Sequence, residues 1–241
     1  MQNDYAQEYR ELYQTHWWWR SRERAIKREI ELAPPTSTEP KILDVGCGDG
    51  LLFPVLEQYG EVYGVEPDAA TLAEDSPHRE RIHLGYFDDS YETDHRFDLI
   101  VMLDVLEHIE DADAALAKAV DLLTEDGRLI ITVPAFRTLW TSHDDLNHHF
   151  TRYTKESFRD LAGRSGFAIG GMRYLFHWTF PAKLLIRLKE KWVETVPQPP
   201  QVPARWMNRL LLGMTTVEQW TISRWGMPFG SSLLATGGKR E

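Results

Sequence analysis

Residues 42–50 read Ile42-Leu43-Asp44-Val45-Gly46-Cys47-Gly48-Asp49-Gly50, an apolar, β-branched run that breaks into glycines at alternate positions. A strand ending in such a turn lets the backbone reverse sharply and lets a ligand approach the main chain with no Cβ in the way. Twenty residues beyond Gly46, the run Val62-Tyr63-Gly64-Val65-Glu66-Pro67-Asp68 carries a carboxylate at its end. An acid at a second strand's tip can accept both hydroxyls of a ribose. Together the two stretches predict a nucleoside held across the first two strands of a parallel sheet. The glycine pattern is D-x-G-x-G-x-G, not the G-x-G-x-x-G of dinucleotide sites, and Asp44 and Asp49 put negative charge beside the turn. Such charge repels a pyrophosphate and suits a cationic ligand, one with a sulfonium and an ammonium group.

Outward from this turn, short β-branched runs alternate with longer helical ones. Strands are expected at Lys41–Val45, Glu61–Glu66, Arg81–Gly85, Phe97–Leu103 and Gly127–Val133, with helices at Leu51–Tyr59, Ala69–Glu74 and Ala112–Leu123. Asp111 is placed to cap the last of these, where Ala115, Leu116, Ala119, Val120 and Leu123 recur on one face. A helix over Lys155–Arg164, a sixth strand over Phe167–Leu175 and a seventh over Ser232–Gly237 complete the pattern. The fold class is therefore α/β, a mostly parallel sheet covered on both faces. Between the last two strands lie some fifty residues that a hairpin would not need. Pro197, Pro199, Pro200 and Pro203 divide them into two helical halves, 180–194 and 204–225. The expected organisation is a helical, aromatic and basic lead segment (1–39), a nucleoside-binding core (40–175), a helical insertion (176–228) and a final core strand (229–241).

The composition suits a packed globular chain: 241 residues, 42% hydrophobic, 27% charged, with a net charge of -10. That charge argues against a nucleic-acid partner. Its distribution is uneven. Residues 172–241 hold ten basic and four acidic side chains, a net of +6, which leaves -16 for residues 1–171. The same tail holds five of the nine tryptophans, Trp178, Trp192, Trp206, Trp220 and Trp225. A basic, Trp-rich tail on an acidic body fits contact with something anionic and partly apolar, or a solvated face on tail helices. One cysteine, no basic-then-apolar start and no unbroken apolar run of spanning length place the expected location in the cytoplasm, with a possible peripheral attachment to the inner face of the membrane.

The stretches 42–50 and 62–68 resemble the glycine-rich and acidic ribose motifs of class I S-adenosylmethionine-dependent methyltransferases. The resemblance continues through Phe97-Asp98-Leu99-Ile100-Val101-Met102-Leu103-Asp104-Val105-Leu106-Glu107-His108 and Gly127-Arg128-Leu129-Ile130-Ile131-Thr132-Val133-Pro134. It implies a Rossmann-like, doubly wound seven-stranded sheet with its last strand antiparallel, the helical insertion between strands six and seven, S-adenosylmethionine as cofactor, and methyl transfer as the activity. On matching positions it implies that Asp44, Gly46, Cys47, Gly48 and Gly50 line the methionine part of the cofactor. Glu66 and Pro67 would meet the ribose, Tyr86 and Phe87 the adenine, and Leu103, Asp104 and His108 would close the methionine side. His16-Trp17-Trp18-Trp19-Arg20-Ser21-Arg22 resembles the aromatic-then-arginine lead of a bacterial subgroup similar in part to quinone and small-molecule O-methyltransferases. There Trp18 would cover the sulfonium, and Arg20 or Arg22 would pair with the cofactor's carboxylate, unless the tryptophans simply pack on the sheet.

Methyl transfer needs an acceptor atom in line with the sulfonium and a group to remove its proton. His143-Asp144-Asp145-Leu146-Asn147-His148-His149-Phe150-Thr151-Arg152-Tyr153 offers histidine, the side chain matched to proton transfer near neutral pH. His143 or His149 is the expected base and Arg152 the anchor for an anionic group, with Tyr153 at the matching position of the subgroup's pattern; a solvated polar loop is the alternative. Asp104, Glu107 and His108 resemble a stretch of ubiquinone-pathway O-methyltransferases where a divalent ion helps activate a phenol, but Glu-His after strand four also occurs in metal-free members, and no metal is assigned. The acceptor is expected to be a small molecule or lipid-linked, methylated on oxygen. N- or C-methylation of a soluble metabolite, or a cofactor-binding regulatory module without catalysis, remain open. The insertion would serve as a membrane contact, a lid over a soluble substrate or a homodimer face.

Overall fold

The computed structural model describes residues 10–190, 192, 201–221 and 226–240. The first nine residues, Trp225 and the ends of both expected insertion helices lie outside them. Seven strands form one sheet in the order β3-β2-β1-β4-β5-β7-β6: β1 (Lys41–Val45), β2 (Glu61–Glu66), β3 (Ile82–Leu84), β4 (Phe97–Leu103), β5 (Leu123–Pro134), β6 (Phe167–Leu175) and β7 (Ser232–Lys239). β1 pairs in parallel with β2 and β4, while β7 runs antiparallel between β5 and β6. The expected Rossmann-like sheet with its last strand reversed is the architecture observed.

The sheet is buried on both faces because its central strands are apolar at nearly every position. Leu43, Ile100, Met102, Leu129, Ile131 and Leu233 pack on one side, under α3 (Ala112–Leu122) and α5 (Lys155–Arg164). Ile42, Leu99, Val101, Ile130 and Leu234 alternate onto the other, under α1 (Trp17–Leu32) and the one-turn helix α2 (Phe53–Leu56). The buried residues of α1 include Ala25, Ile26, Glu29 and Ile30, and its start is capped by His16, whose side chain accepts from the Trp18 amide. Asp111 caps α3 as expected, accepting from the Ala114 amide at 3.0 Å.

The expected helix over Ala69–Glu74 is absent. The Asp68 side chain takes the Ala70 amide at 2.8 Å, its carbonyl takes the Thr71 amide at 3.1 Å, and Asp49 takes the Ala73 amide at 3.2 Å. Those local bonds replace the helical ladder, and Pro67 and Pro77 leave too short a run to restore it. Leu51–Tyr59 forms only α2, flanked by turns. β5 begins at Leu123, four residues before the expected Gly127. Between α5 and the chain's end, the segment joining β6 to β7 carries α6 (Thr179–Glu190) and α7 (Arg205–Trp220), and a short helix α4 (Ser142–Leu146) follows β5. α7 lies along α1: Gln219 donates to the Ser21 carbonyl at 2.8 Å and Asn208 accepts from the Trp17 amide at 2.9 Å.

Candidate active site

The tips of the parallel strands β1, β2 and β4 converge on one edge, where loops must leave the sheet and polar groups can face a ligand. Gly46, Gly48 and Gly50 take φ values of 72°, 55° and 71°, a left-handed conformation that glycine adopts without strain. At Gly46 a Cβ would also stand 2.6 Å from Val105 Cγ2, so this position is closed to any side chain. Glu66, at the tip of β2, binds the turn: Oε2 accepts from the Gly48 amide at 2.8 Å and Oε1 from the Asp68 amide at 2.9 Å. Burial pushes its carboxyl up, opposed by those two amides. Asp44, at the tip of β1, is 3% exposed. Its carboxyl is pushed up to about 8 by burial, with the charge of Arg22 opposing and that of Glu66 reinforcing the shift.

Two buried, interacting acids at neighbouring strand tips, each penalised as an anion, make an environment whose electrostatics call for a cation. Asp49 does not contribute to it. Its carboxylate is neutralised by Arg10 and held by the Ala73 amide, so it ties the glycine turn to residues 10–15 and to the Asp68 turn. Arg22 reaches from α1 to the tip of β4, 2.6 Å from Asp104 Oδ2 and 3.3 Å from the Leu103 carbonyl, with its guanidinium 4.8 Å from the Trp18 ring centre. Asp104 itself sits at φ 57°, a conformation costly for a side chain with a Cβ and found where the surroundings enforce it. Trp18 stacks on Phe176 at 5.9 Å. Arg22, Asp44, Glu66 and Asp104 therefore offer one cationic and three acidic groups at the strand tips. A zwitterionic methionine carrying a sulfonium fits that donor set, and the glycine turn leaves room for its backbone-like end.

Farther along the same edge, Asp144 is fully buried and accepts from five donors. Arg152 Nε and Nη2 lie at 2.7 and 2.9 Å, the Thr141 amide at 2.9 Å and hydroxyl at 3.3 Å, and His149 Nδ1 at 2.8 Å. Burial alone would raise the Asp144 carboxyl, but the His149 and Arg152 hydrogen bonds and the guanidinium charge hold it well below the usual carboxylate range. An ionised Asp144 accepts the Nδ1 proton of His149, which leaves Nε2 as the basic nitrogen. The His149 ring meets His108 edge-on at 4.6 Å. Among the described residues, Glu107, His108 and His149 each bring a ligand-type atom within 4.8 Å of one another, a set that could hold a divalent cation. Glu107 is 1% exposed, its Oε2 has no hydrogen-bond partner, and burial and the charge of Asp104 raise its carboxyl well above the usual range.

The structure thus gathers Trp18, Arg22, Asp44, the three glycines, Glu66, Leu103, Asp104, His108 and His149 along one edge. Other expected site residues stand apart or are already engaged. Arg152, expected to anchor an acceptor, is 6% exposed and spends its donors on Asp144 and on the Ala135 carbonyl at 3.2 Å. Tyr153 is buried, with its hydroxyl donating to the Leu106 carbonyl at 3.4 Å. The stretch 143–153 is therefore not a free polar loop; Asp144, His149 and Arg152 within it form an ion-pair network around a buried carboxylate, which lone sequence positions do not reveal. Phe87 packs in the core beside Tyr91, while Tyr86 is 69% exposed and Pro67 is also exposed. Arg20 is half-buried, Cys47 is buried and His143 is exposed.

Lys183 of α6 is a site residue the sequence reading missed. It is partly buried against the same edge, and its ammonium is pushed down to about 8 by burial and by the charge of Arg152, with Asp144 and Asp104 opposing. Its signal was the shared helical face of Lys183, Arg187 and Glu190, which read as a surface face because it is polar.

The methyltransferase domain family profile matches residues 18–169, the stretch that contains every strand tip described above. The ubiquinone biosynthesis O-methyltransferase of Rhodopseudomonas palustris (strain TIE-1) is 29% identical over 97 residues, 38% of this chain and 38% of that protein. The protein of the same name from Nitrobacter winogradskyi is 32% identical over 95 residues, 37% of this chain and 36% of that one. The chain thus spans under two fifths of the length of these curated relatives. A crystal structure of a TehB-like SAM-dependent methyltransferase from Corynebacterium glutamicum superposes with a TM-score of 0.56 over 99% of this chain and 98% of that one, at 21% identity, a likeness of fold. On its matched core, its sheet and its strand-tip residues, the chain belongs to the methyltransferase domain family, the class I enzymes whose cofactor is S-adenosylmethionine.

Proposed function

We propose that this chain transfers a methyl group from S-adenosylmethionine to oxygen on a small-molecule or lipid-like acceptor, in the cytoplasm or at the inner face of the membrane. The observation that carries the reading is a pairing along one sheet edge. Buried Asp44 and Glu66, which call for a cation, lie at the tips of β1 and β2, and a carboxylate-oriented histidine, His149 on Asp144, packs against His108 just beyond the tip of β4.

S-adenosylmethionine supplies a methyl carbon already activated by its sulfonium, so the protein's tasks are placement, charge and proton removal. Asp44 and Glu66 favour the cationic cofactor over a pyrophosphate-bearing one. Arg22, held by Asp104, presents a guanidinium for a carboxylate, and Trp18 beneath it offers an aromatic face to a cation at roughly 0.5–2 kcal/mol. His149 Nε2 takes the proton of an acceptor hydroxyl, and ionised Asp144 stabilises the imidazolium that results. Lys183, brought over the edge by α6, offers a positive charge to an anionic acceptor or a developing phenolate. The dense His149–Asp144–Arg152 network supports catalysis over a purely regulatory role, since a binding module has no need of an oriented base.

The test is incubation of the protein with methyl-labelled S-adenosylmethionine and host lysate, followed by partition of the label. Label in organic solvent identifies a lipid or quinone-like acceptor, and label in aqueous small molecules identifies a soluble one. Label found on nitrogen or carbon when the purified product is mapped by mass spectrometry overturns O-methylation, and no transfer at all overturns catalysis.

A further inference from the structure

The two helices between β6 and β7 are packed inside out. On α6, Arg187 donates to the Trp140 carbonyl and Glu190 accepts from the Ser142 hydroxyl at 2.8 Å, so the polar face turns inward. Leu184, Leu185, Ile186 and Leu188 are left exposed. On α7, Glu218 accepts from the His177 amide at 2.9 Å, Thr215 accepts from the Trp178 indole at 3.1 Å, and Asn208 and Gln219 bind α1. Trp206, Leu210, Met214, Val217 and Trp220 form an outward stripe at helical spacing. Trp192, just past α6, is 88% exposed. Twelve of the seventeen large hydrophobic side chains exposed among the described residues fall between 184 and 220. An apolar surface so concentrated marks a place where something else binds.

Charge selects the occupant. The acids described on these helices, Glu190 and Glu218, are both committed to inward hydrogen bonds, whereas Lys189, Arg205 and Arg209 are exposed beside the apolar stripes. The outer face is thus apolar and cationic, on a chain whose remaining body is acidic. A second copy docked by twofold symmetry would set this cationic face against itself. An anionic bilayer satisfies both properties at once: apolar side chains enter the acyl boundary, tryptophans sit at headgroup depth and basic side chains meet lipid phosphates. No helix among the described residues is long and apolar enough to cross a membrane, so the contact lies in the plane of the surface. We propose that the outward faces of α6 and α7 form a docking surface for an anionic lipid bilayer. α6 also carries Lys183 toward Asp144 and Asp104, so the helix that bears the docking face also reaches the proposed acceptor side. The proposal holds whichever acceptor the site takes.

Co-sedimentation of the full chain with phosphatidylcholine vesicles, with and without phosphatidylglycerol, tests it. The chain is expected to sediment with the anionic vesicles, less so as salt rises, and weakly with neutral ones. The double variant Leu185→Asp/Val217→Asp alters only exposed positions and should lower the partition coefficient on the order of a hundredfold. Its thermal midpoint and its calorimetric affinity for S-adenosylhomocysteine should stay unchanged, which separates failure of docking from failure of the cofactor site. No sedimentation with anionic vesicles overturns the proposal. So does a dimer in light scattering that the double variant converts to monomer without vesicle binding, since the occupant would then be a second copy.

Discussion

Asp44 couples cofactor binding to pH. Its buried carboxyl, pushed up to about 8, carries a proton through most of the neutral range, yet a cationic ligand binds its ionised form. Below that value, binding must expel the proton. With a value about 8, only about a tenth of Asp44 is ionised at pH 7 and about a hundredth at pH 6. Affinity for S-adenosylmethionine should therefore rise about tenfold per pH unit, or about 1.4 kcal/mol, from about pH 6 to 7 and level off above about 8. Titration calorimetry in buffers of different ionisation enthalpy at pH 7 should show release of roughly 0.9 proton per cofactor bound. Glu66 and Arg22 face the same carboxyl, Glu66 raising it and Arg22 lowering it. Asp44→Asn should flatten the slope and remove the proton release, and should weaken binding at pH 8 by about 2–5 kcal/mol, the cost of deleting one partner of a buried charge pair. The sign for stability is opposite to that for binding. The folded value lies above the unfolded one, so the stabilisation from Asp44 is complete below about pH 4 and is lost as pH rises toward about 8. A pH-independent affinity in the unmodified protein, or a slope that survives Asp44→Asn, refutes the placement of the cation beside this residue.

Glu66→Ala frees the Gly48 and Asp68 amides and removes the ribose acceptor, so calorimetric cofactor affinity should fall by roughly tenfold or more; unchanged affinity in both this variant and Asp44→Ala would displace the site. Arg152→Ala strands Asp144 without its bidentate partner and should cost about 3–5 kcal/mol, a drop of about 6–20 °C in thermal midpoint by circular dichroism; an unchanged midpoint with a raised KM would restore Arg152 as a substrate anchor. Asp144 has a depressed folded value, so its contribution persists above about pH 4 and fades only as pH falls through that lower value. His149→Ala should leave cofactor binding intact while turnover falls about 10²–10⁴-fold; normal turnover in both His149→Ala and His143→Ala would end the histidine-base role. Lys183→Met should lower kcat/KM with cofactor affinity unchanged, and equal kcat/KM in both proteins would place the ammonium outside the acceptor pocket.

Much of the cofactor side was legible because it is written locally. The three glycines follow a strand by immediate neighbourhood, and Glu66 ends the next strand at a spacing that parallel pairing places alongside, as the register Val45 to Val65 shows. The acceptor side was less so. His143, His149, Arg152 and Tyr153 share a short stretch and look equivalent in sequence, yet one backbone turn buries Arg152 against Asp144, aligns His149 on the same carboxylate and leaves His143 exposed. Ala69–Glu74 was misread for a related reason: its competing bonds come in part from Asp49, a residue some twenty positions away.

The sequence by itself determined the succession of strands and helices along the core, the glycine turn, the acidic strand tips and the existence of two helical halves in the insertion, because each depends on periodicity or on contacts between neighbours in the chain. The tertiary structure alone decided which face of those helices turns inward. Periodicity says which residues share a face and nothing about what that face meets. Only the packed partners, Ser142 and Trp140 against α6 and His177 and Ser21 against α7, draw the polar sides in, carry Lys183 to the site and leave the apolar sides outside.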